Sequence, residues 1–131
     1  MKIKQVSVFA ENKHGRFLAI LKALESTGVN LRAISVSENA DFGIVRMIMD
    51  DPEKGALALK QAGFTERTDI MLTAEIPDVP NGLLKTVIQP LAAGGVNVDY
   101  FYAFLEQKAG TARIVLKTSD DEKAEHLLNN H

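Results

Sequence analysis

Two short segments of this 131-residue chain gather groups able to hold a small anion. The first is Glu11-Asn12-Lys13-His14-Gly15-Arg16-Phe17-Leu18. The second is Pro77-Asp78-Val79-Pro80-Asn81-Gly82-Leu83-Leu84. Each sets a glycine where a run of helix-spaced apolar residues begins. The first backbone N–H groups of a helix have no partner within it, and the helix dipole favours negative charge there. The carboxylate of a free amino acid matches such a place, and the side chain of Asn12 or Asp78 can accept from its ammonium group. Strand-to-helix turns also use Gly, Asn, Asp and Pro simply to turn and to cap. On local physics alone that plainer reading is favoured. Asn30 and Asn97, each following a helix-ending glycine, carry the same ambiguity.

Other chemistries lack the residues they need. There is no cysteine, so disulfides, thiolate nucleophiles and cysteine metal sites are excluded. His14, His126 and His131 show no metal-ligand spacing. Glu11 and Asp78 are isolated carboxylates, and no nucleophile–base pair or phosphate-binding loop is visible. The expectation is a non-enzyme with no catalytic residue, metal or cofactor. A net charge of −2 and a pI near 5.9 leave no basic excess for nucleic acid phosphates. No apolar run reaches the length of a membrane span, and Met1-Lys2-Ile3-Lys4-Gln5 has no leader-like apolar core. A cytoplasmic protein that binds neither membrane nor nucleic acid is expected.

The elements that position the two segments follow from a repeat. Gly15 and Gly82, Leu24 and Leu91, Gly28-Val29-Asn30 and Gly95-Val96-Asn97, and Gly43-Ile44-Val45-Arg46 and Gly110-Thr111-Ala112-Arg113 all stand 67 residues apart. That period is too long for a solenoid, so it reads as a duplicated small domain. Units of this size are marginal alone, which predicts packing against each other or against a second chain.

In the first unit, Lys2–Phe9 alternates as a strand. Phe17, Ile20, Leu21 and Leu24 recur at helical spacing, with Asn12 or His14 as candidate caps and Gly28 as a left-handed stop. Leu31–Ser37 and Phe42–Met49 read as strands, joined by a turn at Asn39-Ala40-Asp41. Pro52 opens a second helix, Gly63 ends it, and Thr65–Ile70 reads as a fourth strand. The second unit repeats the order with strand 70–76, helix 82–93, strands 97–105 and 111–117, and helix 120–129. Pro90 is expected to kink or weaken its helix. The chain stops before an obvious final strand. Either that strand is missing, or the segment 65–76 is shared.

The resulting βαββαβ order predicts an α+β fold of two ferredoxin-like units, residues 1–69 and 70–131. Each has an antiparallel sheet with helices on one face. Apolar residues on both faces of strands, such as Ile44, Val45, Met47, Ile48 and Met49, predict that both faces are covered.

The pattern Asn12-x-x-Gly15-x-Phe17, then Leu24 and Gly28-Val29-Asn30-Leu31, resembles the ACT signature, commonly D/N-x-P-G-x-L…L…G-I-N-I. Glu11-Asn12-Lys13-His14-Gly15 is similar to the motif in the serine-sensing regulatory domain of phosphoglycerate dehydrogenase. Asp78-Val79-Pro80-Asn81-Gly82-Leu83-Leu84 and Gly95-Val96-Asn97-Val98 repeat the resemblance, and Tyr100-Phe101-Tyr102-Ala103-Phe104 is typical of stand-alone tandem ACT proteins. The resemblance implies an amino-acid-binding regulatory or sensor protein, a homodimer, with ligand held where the first turn of one unit meets a neighbouring unit. Carried over by position, the ligand-binding residues are Asn12, Lys13, His14, Gly15, Arg16, Phe17 and Asn30, and Asp78, Val79, Pro80, Asn81, Gly82, Leu83 and Asn97. His14 or the pair Tyr100 and Tyr102 would select the side chain, with interface packing the plainer role for the tyrosines. Arg46 and Arg113 are repeat-related ligand, interface or edge groups. His14 replaces the family's proline, and Asn81 reads as one extra residue in the second turn, so the two sites need not be alike. The alternative is a regulatory small subunit that docks on a biosynthetic enzyme such as acetolactate synthase.

Overall fold

A computed structural model of the chain describes residues 1–11, 13–38 and 42–129. Its elements are β1 (Lys2–Glu11), α1 (Arg16–Glu25), β2 (Leu31–Glu38), β3 (Phe42–Met49), α2 (Pro52–Gln61), β4 (Thr65–Pro77), a π-helical turn (Leu84–Ile88), α3 (Gln89–Ala93), β5 (Val98–Ala103), β6 (Thr111–Thr118) and α4 (Asp121–Asn129). The expected turn at Asn39-Ala40-Asp41 lies outside the described residues.

Two βαββαβ-like units result. The first spans Lys4–Ile70; the second holds Met71–His131 together with Met1–Ile3. The strands read separately as 65–70 and 70–76 are one continuous strand, β4. In the first unit the strand order is β2-β3-β1-β4, with β3 antiparallel to both β1 and β2. In the second, β6 is antiparallel to both β4 and β5. Where a fourth strand would lie beside β4, the second unit has the chain's first residues. The Thr73 backbone N–H donates to the Met1 carbonyl at 2.8 Å.

Period-two alternation sends every other strand residue to the helix-covered side. In the first unit Val6, Val8, Val45, Met47 and Met49 meet Ile20, Leu24 and Leu59 in one core. In the second, Leu72, Ile114 and Leu116 meet Val87, Leu91, Val96 and Ala124. The face away from the helices also holds buried side chains: Gln5, Ser7, Ala33 and Ile48 in the first unit, and Met71, Thr73, Tyr102 and Val115 in the second.

The strand registers correct one repeat pair. Val8↔Val45 and Val6↔Met47 in the first unit match Ala74↔Ile114 and Leu72↔Leu116 in the second. A bulge sits at the same place in both, between Leu31 and Ala33 and between Val98 and Tyr100. On this register Arg46 corresponds to Val115, and Arg113 to Ile44. The hairpin before β6 is longer than that before β3, so the match of Gly43–Arg46 to Gly110–Arg113 holds in sequence but not in space.

The expected kink at Pro90 takes another form. The helix does not break; it widens. Gln89 N–H donates to the Leu84 carbonyl, one residue farther back than in an α-helix. An inserted residue in an α-helix is absorbed as such a π-turn. The wider turn also relieves the clash between a proline ring and the carbonyl one turn before it. Gly15 and Asn81 begin equivalent turns, yet the core residues that follow are Ile20 and Val87, so the second helix carries one extra residue in between.

Side-chain carboxylates start two of the helices. Asp51 Oδ1 accepts from Lys54 N at 3.1 Å, and Asp120 Oδ1 from Lys123 N at 3.1 Å. Asp121 ties α4 to β6. It accepts from the Thr118 backbone N–H at 3.0 Å, the Thr118 hydroxyl at 2.7 Å and Lys117 Nζ at 3.2 Å. Burial raises the Asp121 pKa, but the Thr118 and Lys117 bonds outweigh it and hold it below the usual 3.8. A depressed folded pKa adds stability that is present above the unfolded value and lost as pH falls through the folded one. Asp121→Ala is therefore expected to cost about 1–2 kcal/mol at neutral pH. Urea unfolding should show that gap closing in acid, below the ordinary aspartate range.

Candidate functional site

The two turns singled out by residue type prove to be the same structure. In the first, Lys13 N–H donates to the Glu11 carbonyl at 2.8 Å, Arg16 N–H to Lys13 at 3.2 Å and Ala19 N–H to Gly15 at 3.0 Å. In the second, Val79 N–H donates to Pro77 at 2.9 Å, Gly82 N–H to Val79 at 3.0 Å and Lys85 N–H to Asn81 at 3.0 Å. These bonds pair Gly15 with Asn81, not with Gly82. Both residues are left-handed, with φ of 83° at Gly15 and 65° at Asn81. Asparagine is among the few non-glycine residues that tolerate this region. The second turn therefore has no extra residue; the insertion lies in the helix, as the π-turn.

Gly82 has a different reason to be glycine. A Cβ there would fall on the Pro77 carbonyl oxygen. At Gly15 a Cβ would meet nothing within 4 Å, so only its backbone angle favours glycine.

The expected side-chain caps of α1 are not seen among the described residues. Gly15 is the N-cap, without a side-chain hydrogen bond, and His14 is exposed. Asn12 lies outside the described residues. Lys13, Arg16 and Phe17 are also exposed, and the first turn of α1 has no acidic residue. Lys13 Nζ pairs with Glu11 at 2.7 Å. The Lys13 hydrogen bond, then the Lys13 and Arg16 charges, hold the Glu11 carboxyl below its usual range. The first turn is thus a cationic helix N-terminus with one neutralised carboxylate. The second presents Asp78, Val79, Pro80 and Asn81 at the surface, with Gly82 buried and Leu83 half-buried. The shared backbone can offer N–H groups to a carboxylate in both places, but the charge around it differs.

Asn30 and Asn97 lie elsewhere. Leu31 faces Met49 at one end of β3, and Glu11 faces Phe42 at the other, roughly 23 Å along the strand. Within one unit Asn30 is therefore remote from the turn. Its backbone N–H donates to Asp50 Oδ1 at 3.0 Å, and its carbonyl accepts from Asp50 N–H at 3.1 Å. Asn97 makes the corresponding pair with Ser119, at 2.9 Å in both directions. Tyr100 and Tyr102 stand opposite Lys117 and Val115, on the face away from the helices, with Tyr102 buried. Arg46 Nη1 donates to Ser37 Oγ at 3.3 Å.

Residue types singled out Arg113 but missed the polar group around it. Arg113, Glu75, Thr111, Lys108 and Phe104 converge on a cleft in the second unit. Aligning the two copies in their spatial register would have exposed it, because the first unit carries apolar residues at several of these positions. Among the described residues no group of three His, Asp or Glu is placed to hold a metal ion, and no helix is long and apolar enough to cross a membrane.

Comparison with known proteins agrees with the fold. A family model described as an ACT domain pair matches residues 1–131. Protein BT0572 from Bacteroides thetaiotaomicron is similar in structure, with a TM-score of 0.90 and 35% identity over 99% of this chain and 88% of that one. The regulatory subunit of aspartate kinase from Thermus thermophilus, in its ligand-free form, gives 0.67 and 16% over 96% of this chain and 88% of that one. The corresponding subunit from Thermus flavus gives 0.64 and 15%, with coverage of 96% and 88%. No protein of curated function matches. The duplicated turn, the matched registers and the whole-chain family match lead to one assignment: this chain belongs to the ACT domain pair family.

Proposed function

We propose that the chain is a regulatory protein that binds free amino acids at its strand-to-helix turns, residues 12–17 and 78–83. The observation that carries this is the repetition of one turn geometry, hydrogen bond for hydrogen bond, in two copies of different sequence. The backbone N–H groups that open the helix are therefore presented alike in both copies, although glycine stands in one and asparagine in the other. The ligand carboxylate sits at the backbone N–H groups that open the helix, and Asn12 or Asp78 accepts from the ammonium. With Lys13 paired to Glu11, the Arg16 charge favours an extra negative charge at the first turn; the second suits a neutral ligand. Asn30 and Asn97 reach a turn only from a neighbouring unit or a second copy, which fits a homodimer. No catalytic step is assigned.

Calorimetric titration of the homogeneous full chain tests this reading. Asn12→Ala and Asp78→Ala are each expected to weaken binding at their own turn by about tenfold, with the other turn unchanged. Equal affinity in both variants and the parent would place the ligand elsewhere. The second reading is a subunit docking on an amino-acid biosynthetic enzyme, for which the aspartate kinase subunits offer an analogy of fold. Stoichiometric recovery of such an enzyme in a pulldown would favour it.

A further inference from the structure

Beside its turn, the second unit has a cleft of about 510 Å3 whose lining includes Met1, Glu75, Phe104, Lys108, Thr111 and Arg113. That volume lies within the ~300–1,000 Å3 of small-molecule sites. It opens beside β4, where Met1–Ile3 take the place of a complete fourth strand.

The first unit serves as an internal control. The pairs Glu75↔Arg113 and Pro77↔Thr111 occupy the positions of Phe9↔Ile44 and Glu11↔Phe42. The same backbone therefore folds with Phe9, Ile44 and Phe42 where the second unit has Glu75, Arg113 and Thr111. The fold does not require these polar groups.

They satisfy one another only in part. The Arg113 guanidinium lies 4.6 Å over the Phe104 ring and donates to the Met1 thioether at 3.7 Å. It forms no ion pair among the described residues. A guanidinium has five N–H donors, and a thioether is a weak acceptor, so most of this half-buried cation's bonding capacity is unspent. Lys108 Nζ lies 3.4 Å from Glu75, in an exposed and easily screened pair. The Thr111 hydroxyl oxygen is buried, and no described partner meets it at full hydrogen-bond geometry. It still lies close enough to Glu75 to be the main influence lowering that carboxyl's pKa, ahead of Lys108 and Arg113, so Glu75 stays an anion.

We propose that this cleft, which adjoins the second turn but is built from β4, β6 and the hairpin before β6, is a second binding site for a free α-amino acid with an apolar side chain. Arg113 takes the carboxylate, Glu75 accepts from the ammonium, and the side chain lies against Met1 and Phe104. A forked guanidinium beside an ionised carboxylate, with an aromatic ring packed on the guanidinium, suits a zwitterion better than an anion or a cation alone.

NMR of the 15N-labelled full chain titrated with L-phenylalanine and L-leucine tests it. Backbone shifts are expected at Phe104, Lys108, Thr111 and Arg113. Phenylpropionate, which lacks the ammonium, and phenethylamine, which lacks the carboxylate, should each bind about tenfold more weakly there. Arg113→Gln should abolish the cleft shifts. Arg113→Lys, which keeps the charge but not the fork, should weaken them and serves if the glutamine variant does not fold. Three results overturn the proposal: no shifts with either amino acid, shifts confined to residues 12–18 and 78–84, or cleft shifts that survive Arg113→Gln. Shifts confined to the turns would leave the turn reading standing, so the two fail separately.

Discussion

Gly82→Ala is expected to destabilise the chain by about 2–3 kcal/mol, as overpacking against a rigid neighbour does. The added Cβ meets the Pro77 carbonyl oxygen. That atom is backbone, so no rotamer change relieves the contact. Either the end of β4 or the opening of the following helix must move, and the turn's own hydrogen bonds hold both. The first turn supplies the contrast. Gly15→Ala meets no atom and pays only the left-handed backbone cost, about 1–2 kcal/mol. Asn81→Gly should cost at most a few tenths of a kcal/mol, because glycine adopts the same angle freely. Urea unfolding of the three variants checks this ranking. A Gly82→Ala protein as stable as the parent would show that the turn is looser than described.

Met47→Ala and Leu116→Ala are expected to cost about 2–5 kcal/mol each, the usual range for emptying a packed core site. Both side chains are fully buried and stand at equivalent points of the two registers. Met47 packs with Ile20, Leu24 and Leu59; Leu116 packs with Val87, Leu91 and Ala124. Similar losses would support the corrected register. A cost under about 1 kcal/mol at either site would place that residue outside its core. Chemical unfolding should be followed by two probes, since units of this size need not unfold together.

The elements themselves were legible because they rest on local periodicity. Alternation marked β1 and β2, an apolar run marked β3, helical spacing marked Ile20 and Leu24, and Pro52 marked the start of α2. Two features misled a reading at one fixed offset. The insertion that looked to lie beside Pro80 lies in the helix that follows, and nothing local distinguishes a π-turn from a loop insertion before the core register is known. The longer hairpin before β6 displaced Arg113 from the apparent partner Arg46, hiding the cleft residues. The place of the final strand was illegible for another reason: residues 1–3 lie beside β4 through a pairing distant in sequence. For the candidate site, residue types located both turns. Their equivalence became visible only through backbone bonds, since His14-Gly15-Arg16 and Pro80-Asn81-Gly82 share no residue type in register.

Amino-acid binding by this chain is the central claim, and a thermal-shift screen of the full chain against free amino acids tests it most directly. A ligand at 100 times its Kd adds about 2.7 kcal/mol to the bound fold. For a chain of this length that should raise Tm by roughly 3–6 °C. Such a rise is expected with at least one amino acid, reduced by Asn12→Ala or Asp78→Ala. A flat response to every amino acid at saturating concentration would contradict it.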